Sequence, residues 1–91
     1  MKTRNIGKSL KKKGFEEFSK GKDHKYFYFM KDSKRTSIFT KMSHSHDEIS
    51  DKLQKAMSSQ MKLSIPQFKT FVECTMTGEK YRKHLEENGH L

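Results

Sequence analysis

The chain has no tryptophan, one cysteine and one proline among its 91 residues, and it has no long apolar run. Cys74 alone cannot form an internal disulfide, so we expect a reducing, cytoplasmic setting. Because it has no long apolar run, we expect the chain to contain neither a signal peptide nor a membrane span. Two histidines, His44 and His46, lack convincing further ligands, so we expect no metal site and no cofactor.

Positive charge is abundant and is concentrated in the first half of the chain. Residues 1–45 contain 13 Lys and Arg against 4 Asp and Glu, whereas residues 46–91 contain 7 of each class. The formal net charge of +9 therefore belongs to one region. A concentrated cationic field attracts phosphates, so we expect a nucleic-acid partner. We expect no membrane partner, because the chain has no long apolar run.

Periodicity and capping signals divide the chain into helices and strands. Gly14 ends a first amphipathic helix, and Ser45 with Glu48 has the spacing of a capping box for a second. Ser64 with Gln67 has the same spacing for a third helix. The predicted elements are a helix over 3–13, strands over 15–18, 24–31 and 35–41, and helices over 45–62, 64–74 and from 77 onward.

This order predicts an α+β domain, α-β-β-β-α, with helices appended at its carboxyl end. We expect residues 1–63 to form the main unit and residues 64–91 to be a helical extension packed on it. Alternation in the second strand places Phe27 and Phe29, with Ile38 of the third strand, towards the helices. Four side chains are expected on the opposite face: His24, Tyr26, Tyr28 and Phe39.

Two interpretations of that opposite face stay open at this point. The appended helices can fold across the tyrosines and form a second small core. Alternatively, Tyr26, Tyr28 and Phe39 form a face that receives RNA or a protein partner.

Four segments in this order resemble the HicA family of toxin–antitoxin mRNA interferases. They are residues 10–15 (LKKKGF), 21–24 (GKDH), 34–38 (KRTSI) and 47–63, which resemble the first helix and its glycine break, the Gly-Ser-x-His turn, the basic third strand and the closing helix. The chain has Lys22 where the family has Ser, and residues 64–91 are additional. The resemblance implies a double-stranded-RNA-binding-domain-like fold, RNA cleavage dependent on His24, and a HicB antitoxin that covers the active face.

Histidine is the side chain best suited to take a 2′-hydroxyl proton near neutral pH, and cations can hold the phosphate as charge develops. His24 is therefore the candidate catalytic base of a metal-independent endoribonuclease, with His44 as a candidate assistant. The candidate RNA-binding residues are Lys20, Lys22, Lys25, Lys34, Arg35 and Lys41. Lys22 and Lys25 favour the neutral imidazole, whereas Asp23 opposes them.

Three functions remain open from the sequence. The leading one is an RNA-cleaving toxin restrained by a HicB-like protein antitoxin. The second is a non-catalytic RNA-binding module on the same fold, which recognises A-form shape. The third is a protein-interaction or dimer surface formed by the tyrosine face and the appended helices, and the oligomeric state is open.

Overall fold

The computed structural model of the chain describes residues 2–20, 24–43, 48–73 and 75–91, and within its strands it leaves out the side chains of Ser19, Lys20, His24 and Ser43. The described elements follow the order α1 (Thr3–Lys12), β1 (Phe15–Lys20), β2 (His24–Lys31), β3 (Lys34–Ser43), α2 (Asp51–Gln60), α3 (Ile65–Val72) and α4 (Gly78–Glu87). The predicted α+β class is confirmed. None of the described helices is long and apolar enough to cross a membrane.

The three strands form one antiparallel sheet in the order β1-β2-β3. Asp32 and Ser33 form the tight turn between β2 and β3, and both have positive φ angles, 53° and 64°. Two such residues are typical of a type I′ hairpin. The third strand therefore begins at Lys34, which pairs with Lys31, and at its other end Ser43 pairs with His24.

A β-bulge interrupts the pairing of β2 with β3 between Tyr28 and Met30. Thr36 stabilises this irregularity, because its hydroxyl donates to the Phe29 carbonyl at 2.6 Å and accepts from the Ile38 N–H at 3.2 Å. Bulges increase local strand twist and redirect neighbouring side chains.

One face of the sheet, which we call the packed face, carries the apolar side chains against which the helices lie. Its members are Phe15, Phe27, Phe29, Ile38 and Met42, each at most 4% exposed. The same buried cluster contains residues of every helix: Ile6, Leu10, Met57, Met61, Phe68, Phe71, Val72, Tyr81 and Leu85. The predicted inward orientation of Phe27, Phe29 and Ile38 is confirmed, as is the buried position of the methionines of α2.

The appended helices α3 and α4 belong to this same core. The Tyr81 ring lies 5.6 Å from Phe15, 5.4 Å from Phe29 and 5.0 Å from Phe71, measured between ring centroids. Its hydroxyl donates to the Met61 carbonyl at 2.8 Å. The interpretation in which these helices form a second core over the tyrosine face is therefore wrong.

Two polar side chains of the first helical segment tie it to the carboxyl end of α3. Ser9 donates its hydroxyl proton to the Val72 carbonyl at 2.8 Å, and the Lys13 ammonium donates to the Phe71 carbonyl. Lys13 is only 6% exposed and its nitrogen lies 4.8 Å from the centre of the Phe71 ring. A cation at the carboxyl end of a helix donates to carbonyl groups that lack a partner within the helix, and it interacts favourably with the helix dipole.

The start of α2 differs from the prediction. Ser45 lies outside the described residues, and Glu48 forms an isolated antiparallel bridge with Lys2. The helix instead begins at Asp51, where the Ser50 hydroxyl caps it by accepting from the Leu53 N–H at 3.1 Å. Pairing with the segment that precedes α1 holds Glu48 in an extended conformation, so it cannot occupy the first turn of the helix.

The capping box predicted at the start of α3 is confirmed. The Ser64 hydroxyl accepts from the Gln67 N–H, and the Gln67 side chain accepts from the Ser64 N–H. Gly14, predicted to end the first helix, has a φ of 109° and lies against the Phe29 ring.

Gly14→Ala should lower the free energy of unfolding by about 1–3 kcal/mol. A Cβ at this position would lie 2.9 Å from the Phe29 ring, on a backbone that L residues rarely adopt. Gly7→Ala is the matched control, because its Cβ would meet only ordinary contacts at 3.8 Å and should raise stability by up to about 1 kcal/mol. Urea unfolding of both variants tests this difference. Equal effects on the free energy of unfolding would contradict the requirement for glycine at position 14.

Alkaline pH should destabilise the fold through Tyr81. Burial raises the pKa of its phenol far above the ordinary value of 10.0, so the unfolded chain releases the proton first. This group leaves the free energy of unfolding unchanged below pH 10 and lowers it by up to about 1.4 kcal/mol per pH unit above.

Tyr81→Phe isolates this effect from other titrating groups. The variant loses the bond to Met61 and should be about 1 kcal/mol less stable than the wild type near pH 8. Urea unfolding between pH 8 and the alkaline limit should show that difference shrinking as pH rises. A difference that stays constant with pH would contradict the assignment.

Candidate functional site

The second face of the sheet, which we call the open face, carries aromatic and cationic side chains. Its described members include Phe18, Tyr26, Tyr28, Arg35, Phe39 and Lys41, together with the exposed carboxylate Glu16, which pairs with Tyr28. None of them belongs to the buried cluster that the described helices share with the packed face. Four neighbouring aromatic residues on a face that the described helices leave uncovered are the most distinctive surface feature of this part of the chain.

The rings of the open face contact one another. Tyr28 and Phe39 are stacked, with centroids 5.6 Å apart and planes inclined by 29°. Phe18 meets Tyr28 edge to face at 5.5 Å. The predicted position of Tyr26, Tyr28 and Phe39 on one face is confirmed. Phe18 was not predicted there, although it lies three residues after the inward-facing Phe15, and strand alternation puts such a residue on the opposite face.

Arg35 lies over two of these rings. Its Cζ atom is 4.7 Å from the centre of the Tyr28 ring and 5.3 Å from that of Phe18. The bulge between Tyr28 and Met30 displaces Arg35 along the strand, where it pairs with Met30 and reaches back over the rings. The guanidinium therefore adds a planar cation to an aromatic surface.

Lys41 supplies a second cation to the open face. It pairs with Tyr26 across the sheet, and its backbone N–H donates to the Gln60 side chain of α2 at 3.3 Å. Within the part of the chain that the structure describes, neither Lys41 nor Arg35 forms an ion pair. Both charges can meet an external anion without breaking an internal salt bridge.

His24, the candidate base, is the first residue of β2. It pairs with Lys20 of β1 and with Ser43 of β3, so the backbone places one predicted phosphate ligand directly beside it. Its side chain, like that of Lys20, lies outside the described part of the structure, and its orientation towards the open face stays a prediction. Lys22, Asp23 and His44 lie outside the described residues altogether.

The hairpin register separates two predicted phosphate ligands from His24. Lys34 pairs with Lys31, and Arg35 pairs with Met30, both at the turn end of the sheet. Met30 lies six residues from His24 along β2, which corresponds to about 20 Å between their backbones. From there the Arg35 guanidinium reaches back over Tyr28 and Phe18. That Lys34 and Arg35 contact the same phosphate as His24 stays a prediction.

Lys25 lies on the packed face, beside the exposed cations of α1. A groove of about 330 Å³ runs between α1 and the sheet, lined in part by Arg4, Lys8, Lys11 and Lys25. Glu17 lies in it and pairs with Lys11 at 3.0 Å. Because Lys25 directly follows His24, this cationic groove adjoins the His24 end of the sheet. Arg4, Lys8 and Lys11 were not among the RNA-binding residues predicted from the sequence.

The His24 end therefore has cations on both sides of the sheet, the groove on one side and Lys41 on the other. Such an arrangement can hold phosphates and stabilise charge developing on them. The neighbouring described positions are Lys20, Phe18, Tyr26, Lys41 and Ser43, none of which is a carboxylate or an imidazole. Among the described residues, no group of three or more His, Cys, Asp or Glu could hold a metal ion.

Comparison of the chain with protein families, curated proteins and solved structures gives no match.

Arg35→Met should lower the free energy of unfolding by about 0.5–1 kcal/mol, because it removes the cation from the rings and keeps a long side chain. In a Tyr28→Leu background, Arg35→Met should lower the free energy of unfolding by a smaller amount. A double-mutant cycle by urea unfolding measures the coupling, expected at about 0.5 kcal/mol. Additive effects would show that the ring contact contributes nothing to stability.

Proposed function

We propose that this protein binds RNA at the His24 end of the sheet and cleaves it with His24 as the catalytic base. The observation that carries the proposal is the convergence of cations on that end. Lys20 pairs with His24, Lys41 lies two pairs from His24 along β3, and Lys25 connects the end to the cationic groove of α1.

The charge distribution favours a polyanion over a small anionic ligand. The cations of the groove and those of the open face lie on two sides of the same sheet end, and an extended phosphate backbone can contact both. Counterion release from several phosphate contacts would supply most of the affinity. Binding should therefore weaken steeply as salt concentration rises.

In the proposed reaction, a neutral His24 imidazole takes the proton of a 2′-hydroxyl, whose oxygen attacks the adjacent phosphorus. The P–O bond to the 5′-oxygen of the next nucleotide breaks, and a cyclic phosphate and a 5′-hydroxyl result. Lys20 and Lys41 would stabilise the charge on the phosphoryl oxygens. The leaving oxygen receives its proton from a lysine or from water.

The resemblance of four segments to HicA toxins adds to this proposal. It implies a double-stranded-RNA-binding-domain-like arrangement and a HicB-like antitoxin as the protein partner. The α-β-β-β-α order is compatible with that arrangement. A HicB-like partner would meet the open face, which the helices α3 and α4 leave uncovered.

A second candidate is a non-catalytic RNA-binding protein on the same surface. It is favoured by the neighbours of His24 in the described pairs, which include no second imidazole or carboxylate to act as an acid. General acid–base catalysis by a single group gives a slow reaction. The two candidates differ in whether RNA is cut, not in where it binds.

His24→Ala should abolish RNA cleavage while RNA affinity stays within about twofold of the wild type, because one uncharged ring adds little to a phosphate-dominated interface. Denaturing gels of a partly structured RNA measure cleavage, with and without chelator, and fluorescence anisotropy measures binding. Equal cleavage by wild type and variant would contradict the catalytic role. RNA bound but never cut by the wild type would favour the second candidate.

Lys25→Gln and Lys34→Gln form a matched pair that tests the location of binding. Each removes one lysine charge from a strand, but Lys25 lines the groove near His24 and Lys34 lies at the opposite turn. Lys25→Gln should reduce the slope of log affinity against log salt by about 1, whereas Lys34→Gln should leave it unchanged. Equal effects would indicate a diffuse attraction without a defined site.

A further inference from the structure

The open face combines aromatic rings that contact one another with two cations, Arg35 and Lys41, that form no ion pair among the described residues. Its aromatic side chains are partly exposed although the core is otherwise well buried.

We infer that the open face is a platform on which unpaired RNA bases stack, and that the substrate class is single-stranded RNA. This inference rests on the proposed function, because it assumes that the ligand is RNA. Stacking on Tyr28 and Phe39 would hold the bases, while Arg35 and Lys41 would contact the phosphates on either side of them.

Duplex RNA does not fit this surface. In an A-form helix the faces of the bases are hidden within the stack, and only groove edges, phosphates and 2′-hydroxyls are accessible. Rings on the surface of a sheet can stack only on bases that are splayed out of a helix. The aromatic residues of the open face therefore favour unpaired segments of RNA. Lysines alone would not distinguish single-stranded from duplex RNA.

The aromatic rings favour RNA over an acidic protein as the occupant. The Arg35 guanidinium lies over Tyr28 and Phe18, so it adds a planar cation to the aromatic surface. A guanidinium held in this way can stack on a base and contact a phosphate together. An acidic peptide would use the charge but not the ring faces.

The distance between the platform and His24 determines which phosphate of a bound strand would be cleaved. Tyr28 and His24 lie four residues apart on β2, which corresponds to about 13 Å. An extended strand anchored by bases on Tyr28 and Phe39 would bring a phosphate one or two nucleotides away towards His24. Cleavage should then fall in loops and unpaired segments.

Tyrosine fluorescence provides a direct test on the wild-type protein. The chain has no tryptophan, and its three tyrosines are Tyr26 and Tyr28 on the open face and Tyr81 in the core. A 2′-O-methyl oligouridylate cannot be cleaved through its 2′-oxygen and is single-stranded. Its binding should quench most of the emission from the open face, whereas a 2′-O-methyl duplex should bind more weakly and quench little.

Tyr28→Leu and Phe39→Leu should each weaken binding of the oligouridylate by at least about fivefold, and Tyr28→Phe should preserve it, because only the aromatic face is required. Ile65→Ser is the matched control, since Ile65 is exposed, apolar and distant from this face, at 39% accessibility. Circular dichroism and thermal unfolding confirm that each variant is folded.

The outcomes separate the inference from the proposed function. The inference is supported if single-stranded RNA binds more tightly than the duplex and if Tyr28→Leu removes the quenching of tyrosine emission. Duplex binding that is as tight, and is unaffected by the open-face variants, overturns the inference and leaves RNA binding intact. Failure of the wild type to bind either RNA overturns both, and equal binding of poly-glutamate would instead make the open face a protein-docking surface.

Discussion

The Tyr81 ring holds the carboxyl-terminal helices against one face of the sheet. It lies in α4, yet it packs against Phe15 and Phe29 of the sheet and bonds to the end of α2 through the Met61 carbonyl. Because the appended helices bury their apolar side chains here, they cannot cover the other face. The open face is therefore uncovered because the carboxyl-terminal helices pack against the opposite face of the sheet.

A small domain gains from this arrangement in two ways. Chains of this size bury a limited share of their surface, so the addition of α3 and α4 to the packed face enlarges an otherwise small core. The interactions of Ser9 and Lys13 with the end of α3 fix that addition through hydrogen bonds as well as apolar contact. The aromatic residues of the open face are then not required for the core and remain accessible to a ligand.

Local signals predicted much of this fold, and longer-range pairing accounts for the rest. The limits of β2 follow from its aromatic alternation, and the start of α3 follows from a capping box, because both signals act within a few residues. The start of α2 depends on Glu48 pairing with Lys2, a contact between segments distant in sequence. For the site, the faces of Tyr28 and Phe39 were predictable, but the place of Arg35 over the rings depends on a bulge that propensity does not reveal.

The central claim is that RNA meets the open face, and side-chain NMR of the aromatic residues tests it most directly. Titration with single-stranded RNA should shift the ring resonances of Phe18, Tyr28 and Phe39, while those of Phe68, Phe71 and Tyr81 in the core stay in place. The account would be contradicted by saturable binding in which the open-face rings do not respond and the perturbations map to the helices.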